Sequence, residues 1–139
     1  MNAVPKWFTP VAVLALLWNL LGCFMIAMDA MMPPDVVATL PADQQAIHAA
    51  RETWMVIGSI VAVAAGALGS LGLVLKRRWA TPLLVLSVLG LIVQDLGFVM
   101  IARTLPIPTA GWIMQGLVLV IAILLLVMAR KAARNGWLR

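Results

Sequence analysis

Four uninterrupted apolar runs, each long enough to cross a bilayer, constrain this chain more than any other feature. A helix covers the roughly 30 Å of hydrocarbon with about 20 residues. Runs of that length lie at about 8–30, 53–75, 82–102 and 111–129. They are continuous rather than alternating, so they read as helices and not as the roughly ten-residue strands of a membrane barrel. Of the 139 residues, 64% are hydrophobic and 11% charged, against roughly half and a quarter in an ordinary domain. A soluble fold of this size leaves too much surface in water to hide that excess, and a disordered chain would be far more polar. The expected fold is all-α: a single integral membrane domain over residues 1–139, built as an antiparallel up-down four-helix transmembrane bundle with an external segment at 31–52.

Local signals agree with these cuts. Pro33 and Pro34 stop the first run, because proline cannot continue the helical hydrogen-bond ladder. Thr81-Pro82 reads as an N-cap followed by proline at the first helical position. Lys76, Arg77 and Arg78 close the second run, where cations suit a helix C-terminus, and Pro106 and Pro108 mark the third connection. Lys6 before an apolar run, with Leu20-Leu21-Gly22-Cys23 inside it, has the outline of a lipoprotein signal. The run continues past Cys23, beyond the about 7–15 residues of a signal core. An uncleaved span is therefore expected, with Cys23, the single cysteine, as a small packed residue.

Charge orients the bundle. Lys6, Lys76, Arg77, Arg78, Arg130, Lys131, Arg134 and Arg139 fall on one side, and Arg51 and Arg103 on the other. The richer side is expected in the cytoplasm, with both termini. Trp7, Trp79 and Trp137 on that side, and Trp54 and Trp112 on the other, fit an interfacial aromatic belt. The net charge of +5 is thus a topological signal. The expected partner is the bilayer, with a homo-oligomer or a larger membrane complex beyond it, and no nucleic acid.

Small residues recur every four positions on the second span: Gly58, Ala62, Gly66 and Ser70. The third span carries Ser87, Gly90, Gln94 and Gly97. Small side chains let helix backbones approach closely in lipid, so these stripes predict a tight antiparallel hairpin, with Ser70 and Ser87 at matching depth. A glycine-lined substrate path is the functional alternative.

Asp95 is the one acid deep within a span, about 4.5 Å from its midpoint at 1.5 Å per residue. A charge at that depth costs at least about 2.5 kcal/mol, so the side chain must be neutral, paired or in contact with water. Gln94 adjoins it, Asn19 sits at the middle of the first span, and Gln115 lies one turn below the outer edge of the fourth. These four are expected to converge on an outward-opening polar pocket for a ligand or a proton. In the structural alternative, Asp95 is a protonated donor joining helices, to Asn19 or Gln94.

Within the external segment, a short helix from Pro41 to Glu52 would set Gln44, His48 and Glu52 on one polar face. His48 and Glu52 have metal-ligand spacing, and Asp29, Asp35 or Asp43 could add an oxygen, but a site needs three or four ligands and nothing fixes those acids there, so a solvated face or a His–Glu pair is the simpler reading. Met25, Met28, Met31 and Met32 cluster at the outer end of the first span. They suit adaptable packing better than a thioether copper path. With one histidine, no tyrosine and no glycine-rich phosphate loop, neither a cofactor nor an enzymatic activity is expected.

The blocks Pro5-Lys6-Trp7-Phe8, Leu16-Leu17-Trp18-Asn19-Leu20-Leu21-Gly22, Leu68-Gly69-Ser70-Leu71-Gly72, Lys76-Arg77-Arg78-Trp79-Ala80-Thr81-Pro82-Leu83 and Gly136-Trp137-Leu138 resemble those of a family of small, uncharacterised four-span bacterial inner-membrane proteins. The resemblance spans nearly the whole chain. It implies a multi-pass inner-membrane protein with Trp18, Asn19 and Gln94 as family-typical positions, and it hints at transport, since members often bear the automatic label "sugar transporter". Three functions compete: a small-solute transporter or channel working as an oligomer, a non-catalytic accessory subunit of a membrane complex, and a sensor using the His48–Glu52 segment.

Overall fold

The computed structural model describes residues 3–139. Six helices follow one another: α1 (Phe8–Ala30), α2 (Pro34–Val37), α3 (Ala42–Ala50), α4 (Thr53–Val74), α5 (Ala80–Ala102) and α6 (Thr109–Arg134). Four of them, α1, α4, α5 and α6, are long and apolar enough to cross a membrane. The chain is a multi-pass, all-helical membrane protein. Its outward faces are apolar along their length: Leu14, Leu17, Phe24, Ile113, Leu124 and Val127 are all exposed, as side chains solvated by lipid tails are.

The four long helices do not pack evenly. The α4–α5 hairpin is the spine, α1 lies against α4, α6 lies against α5, and α4 barely touches α6. Small residues set this order. A Cβ at Gly90 would stand 2.8 Å from the Ala62 nitrogen and 2.9 Å from the Gly58 carbonyl oxygen, and one at Gly58 would stand 3.1 Å from the Gly90 oxygen. The two backbones touch there, which only glycine permits. Ser87 Oγ adds a hydrogen bond to the Ala62 carbonyl at 2.6 Å. Leu84 fills the space over Gly69, and Ala80 the space over Gly72.

In this register Ser87 opposes Ala62 and Gly66, one turn away from the depth match with Ser70 read from the sequence. Ser70 is fully buried and turns instead toward α1, where Asn19 Nδ2 donates to its hydroxyl at 3.2 Å. Counting from span ends misplaces the pair because the α4–α5 turn is asymmetric. The helix α5 begins at Ala80 rather than Pro82, since the Arg77 and Arg78 carbonyls accept from Ala80 N–H and Thr81 N–H. Thr81 therefore sits inside the first turn, and its hydroxyl is not a cap.

The basic end of the bundle is closed. Phe8, Ala12 and Ala15 of α1 meet Leu73, Ala80, Leu84, Leu125, Ala129, Ala132, Trp137 and Leu138 in one buried cluster. Trp137 is 7% exposed, a core residue and not the interfacial belt residue expected from its position. The reason is a Schellman turn. Gly136 takes φ 75°, Gly136 N–H donates to the Ala133 carbonyl and Trp137 N–H to that of Ala132. The tail thereby reverses beneath the bundle, and Trp137 stacks edge-on against Trp7 and Phe8. The helix α4 ends in the same motif. Lys76 holds φ 57°, its N–H donates to the Leu73 carbonyl, and Arg77 N–H donates to that of Gly72.

The acidic end is looser. The external segment forms α2 and α3, and α3 stops at Ala50 because Arg51 is extended at ψ 127°. That break removes Glu52 from the face it was expected to share with Gln44 and His48. Glu52 becomes the residue before α4 and accepts from Trp54 Nε1 at 2.6 Å. Asp29 at the end of α1 pairs with Arg51 and lies 3.9 Å from His48 Nδ1, tying the segment down. Phe98 and Trp112 meet edge to face, 4.9 Å between centroids, and join α5 to α6.

Candidate functional site

Because α1 leans chiefly on α4 and α6 on α5, and the two meet only in the closed cluster at the basic end, a cleft of about 380 Å³ remains between them. Its walls are mainly Leu, Ile, Val and Met side chains, among them Leu21, Ile26, Leu91, Met114 and Val118, with Trp18 on the α1 side. Leu84 and Leu125 line it too and also belong to the closed cluster, so the cleft is floored toward the basic end. That volume lies within the range of small-molecule pockets.

Three carboxamides reach this space from three helices: Asn19 from α1, Gln94 from α5 and Gln115 from α6. Each is held differently. Asn19 Nδ2 donates to the Ala15 carbonyl at 2.9 Å and to Ser70 Oγ. This turns its Oδ1 toward Gly66, where any Cβ would collide with it. Glycine at 66 is thus what gives the asparagine room. Gln115 Oε1 is buried without a hydrogen-bond partner, an acceptor removed from water and left unsatisfied, which proteins seldom tolerate. Ser87 also lines the cleft, with its hydrogen atom committed to Ala62. The site therefore offers acceptors on Asn19 and Gln115 and both carboxamide functions of Gln94, set in apolar walls.

Asp95 does not line this cleft. The step from Gln94 to Asp95 turns about 100° around the helix, so the two side chains cannot share one direction. Asp95 is half-buried, with Oδ1 lacking a partner. It donates no hydrogen bond to Asn19 or Gln94. The expected quartet is thus a trio, and the single intramembrane acid stands apart from it. Of the small residues, Ala62, Gly66 and Ser87 border the cleft, whereas Gly58, Gly90 and Gly97 are consumed in α4–α5 packing and Ser70 in the bond to Asn19.

His48 and Glu52 do not converge, since His48 faces Asp29 while Glu52 holds the Trp54 indole. Among the described residues no three His, Cys, Asp or Glu side chains gather as metal ligands would. Cys23 is packed against α4, its thiol donating to the Val63 carbonyl at 3.4 Å.

Trp18 is the lining residue that reading the sequence for polar groups passed over. It was legible as the one tryptophan of the six lying at mid-span and not at an interface. No protein-family model, curated protein or solved structure matches the chain.

Proposed function

We propose that this protein is a small-solute carrier of the bacterial inner membrane, taking an uncharged solute into the cleft between α1 and α6 and working as a homo-oligomer. The observation that carries the reading is the convergence of Asn19, Gln94 and Gln115, from three separate helices, on one floored cleft. Packing alone does not call for three carboxamides lining one cleft, with one acceptor left bare. The distribution of Lys and Arg supports a cytoplasmic position for the basic, closed end, with the cleft then nearer the outside. The resemblance of its sequence blocks to a four-span family often labelled "sugar transporter" supports a transport reading. The walls favour a solute with one polar edge and an apolar body over a sugar, which carries hydroxyls on all sides and would leave most of them unpaired against Leu and Met. Four helices enclose too little space for a continuous path, which is why an oligomer is part of the proposal.

Trp18 supplies the test. The purified chain in nanodiscs is titrated with 1,2-hexanediol and with glucose while tryptophan fluorescence is followed, and uptake of both is measured in liposomes. The expected result is saturable quenching by the diol, absent in Trp18→Phe and weakened about tenfold in Gln94→Leu through the loss of one or two hydrogen bonds, together with diol uptake. Neither binding nor uptake of either solute would overturn the reading in favour of an accessory subunit.

A further inference from the structure

The tail of the chain does more than fill the basic end. Arg139 N–H donates to the Lys76 carbonyl at 2.7 Å, and Arg78 N–H donates to the Arg139 oxygen at 2.8 Å. These two bonds straddle Arg77, as one rung of a parallel ladder does. Arg77 and Arg139 are thereby set side by side at about 5 Å, the spacing of neighbouring strands. The frame behind them is fixed on both sides: the Schellman turn at Lys76 on one, and the buried Trp137 and Leu138 on the other. Both arginines are exposed.

Two guanidinium groups started from adjacent backbone positions repel each other unless an anion lies between them. Among the described residues no carboxylate oxygen lies within 4.0 Å of their charged nitrogens, since the ion pairs engage Asp29 at the far end. Lys76 faces elsewhere, its ammonium donating to Thr9 Oγ1 at 3.3 Å. No side-chain carboxylate among the described residues supplies the pair with a counter-charge. From this juxtaposition we infer that Arg77 and Arg139 form a two-pronged site for the phosphate of an anionic phospholipid headgroup. A phosphodiester accepts from two guanidinium forks at once, a geometry that ammonium groups reproduce poorly. The lipid source follows from level: the pair sits at the ends of the long helices beside the exposed Trp7 and Trp79, and such belts mark headgroup depth.

The experiment measures retention of phosphatidylglycerol and of phosphatidylcholine on the detergent-purified full chain by native mass spectrometry, with inorganic phosphate as a third probe. Phosphatidylglycerol is expected to bind in preference to phosphatidylcholine. R77Q/R139Q is expected to lower that binding roughly tenfold or more, R77K/R139K to lower it by an intermediate amount, and R130Q/R134Q, which removes the same charge from α6, by less than about threefold. Both arginine side chains are exposed and the rung uses only backbone atoms, so the variants keep the fold, which the melting temperature in neutral detergent verifies. Equal losses for the two glutamine pairs would mean a diffuse charge effect and overturn the site. Equal binding of the two lipids would also overturn it. Saturation by inorganic phosphate at the same strength would make it a free-phosphate site and overturn the lipid assignment.

Discussion

The two ends of this bundle solve the same packing problem in opposite ways. At the basic end, all four long helices and the tail converge on a shared buried cluster, and two helices stop in matching Schellman turns. Toward the acidic end, α1 and α6 part, a cleft opens between them, and the Arg51–Asp29 pair, with His48 beside it, stands in for a core. Lipid tails are as apolar as leucine, so burying apolar surface does not by itself draw helices together. What joins them is close fit and hydrogen bonding. Where the sequence supplies alanine and glycine, the bundle shuts. Where it supplies carboxamides, it leaves a space that polar groups face.

Four substitutions, with Gly116→Val as a control for the first, sharpen or break this contrast. The largest effect is expected at the spine both ends share. Gly90→Val drives a side chain into the α4 backbone and should cost about 3 kcal/mol, read as a lowered melting temperature in detergent. Its counterpart Gly116→Val, with nothing within 4 Å of a Cβ, should move stability by less than about 0.5 kcal/mol. Next comes Trp137→Ala, which empties the closed end at a cost of about 3 kcal/mol, the low end for a buried tryptophan. It should also speed proteolysis after Arg134 while leaving solute binding within about twofold. A comparable loss of binding would mean that the ends are not independent. Asn19→Leu should remove about 1 kcal/mol by stranding the buried Ser70 hydroxyl and abolish the Trp18 response to solute. Retention of that response would remove Asn19 from the site. The smallest effect is expected at the acidic end. Asp29→Ala should cost under about 1 kcal/mol, because exposed pairs contribute little, yet hydrogen exchange across 42–50 should rise.

Much of the architecture was legible before the fold was known. The first span ends at Ala30 and the second begins at Thr53, as hydropathy and proline placement indicate. The fourth runs on to Arg134, five residues past its apolar stretch, because Arg130, Lys131 and Arg134 continue the helix while reaching water. The tail escaped the reading: a lysine at positive φ has no sequence signature, and Trp137 looked like its interfacial neighbours. Of the site, Asn19, Gln94 and Gln115 were legible because amides in apolar spans stand out. Asp95 stands out more, yet it lies outside the cleft that these three line. Sequence distance along a helix carries no direction unless each 100° step is counted, and one step separates Gln94 from Asp95.

The separation of α1 from α6 also bears on how the gap could be worked. Each of these arms is clasped to the rigid middle pair along its side, and both are pinned at the same end by Phe8 and Trp137. That is the layout of tweezers with the pivot at the phenylalanine–tryptophan contact. A tilt of either arm by a few degrees would widen or pinch the jaws and leave the glycine seam between α4 and α5 untouched.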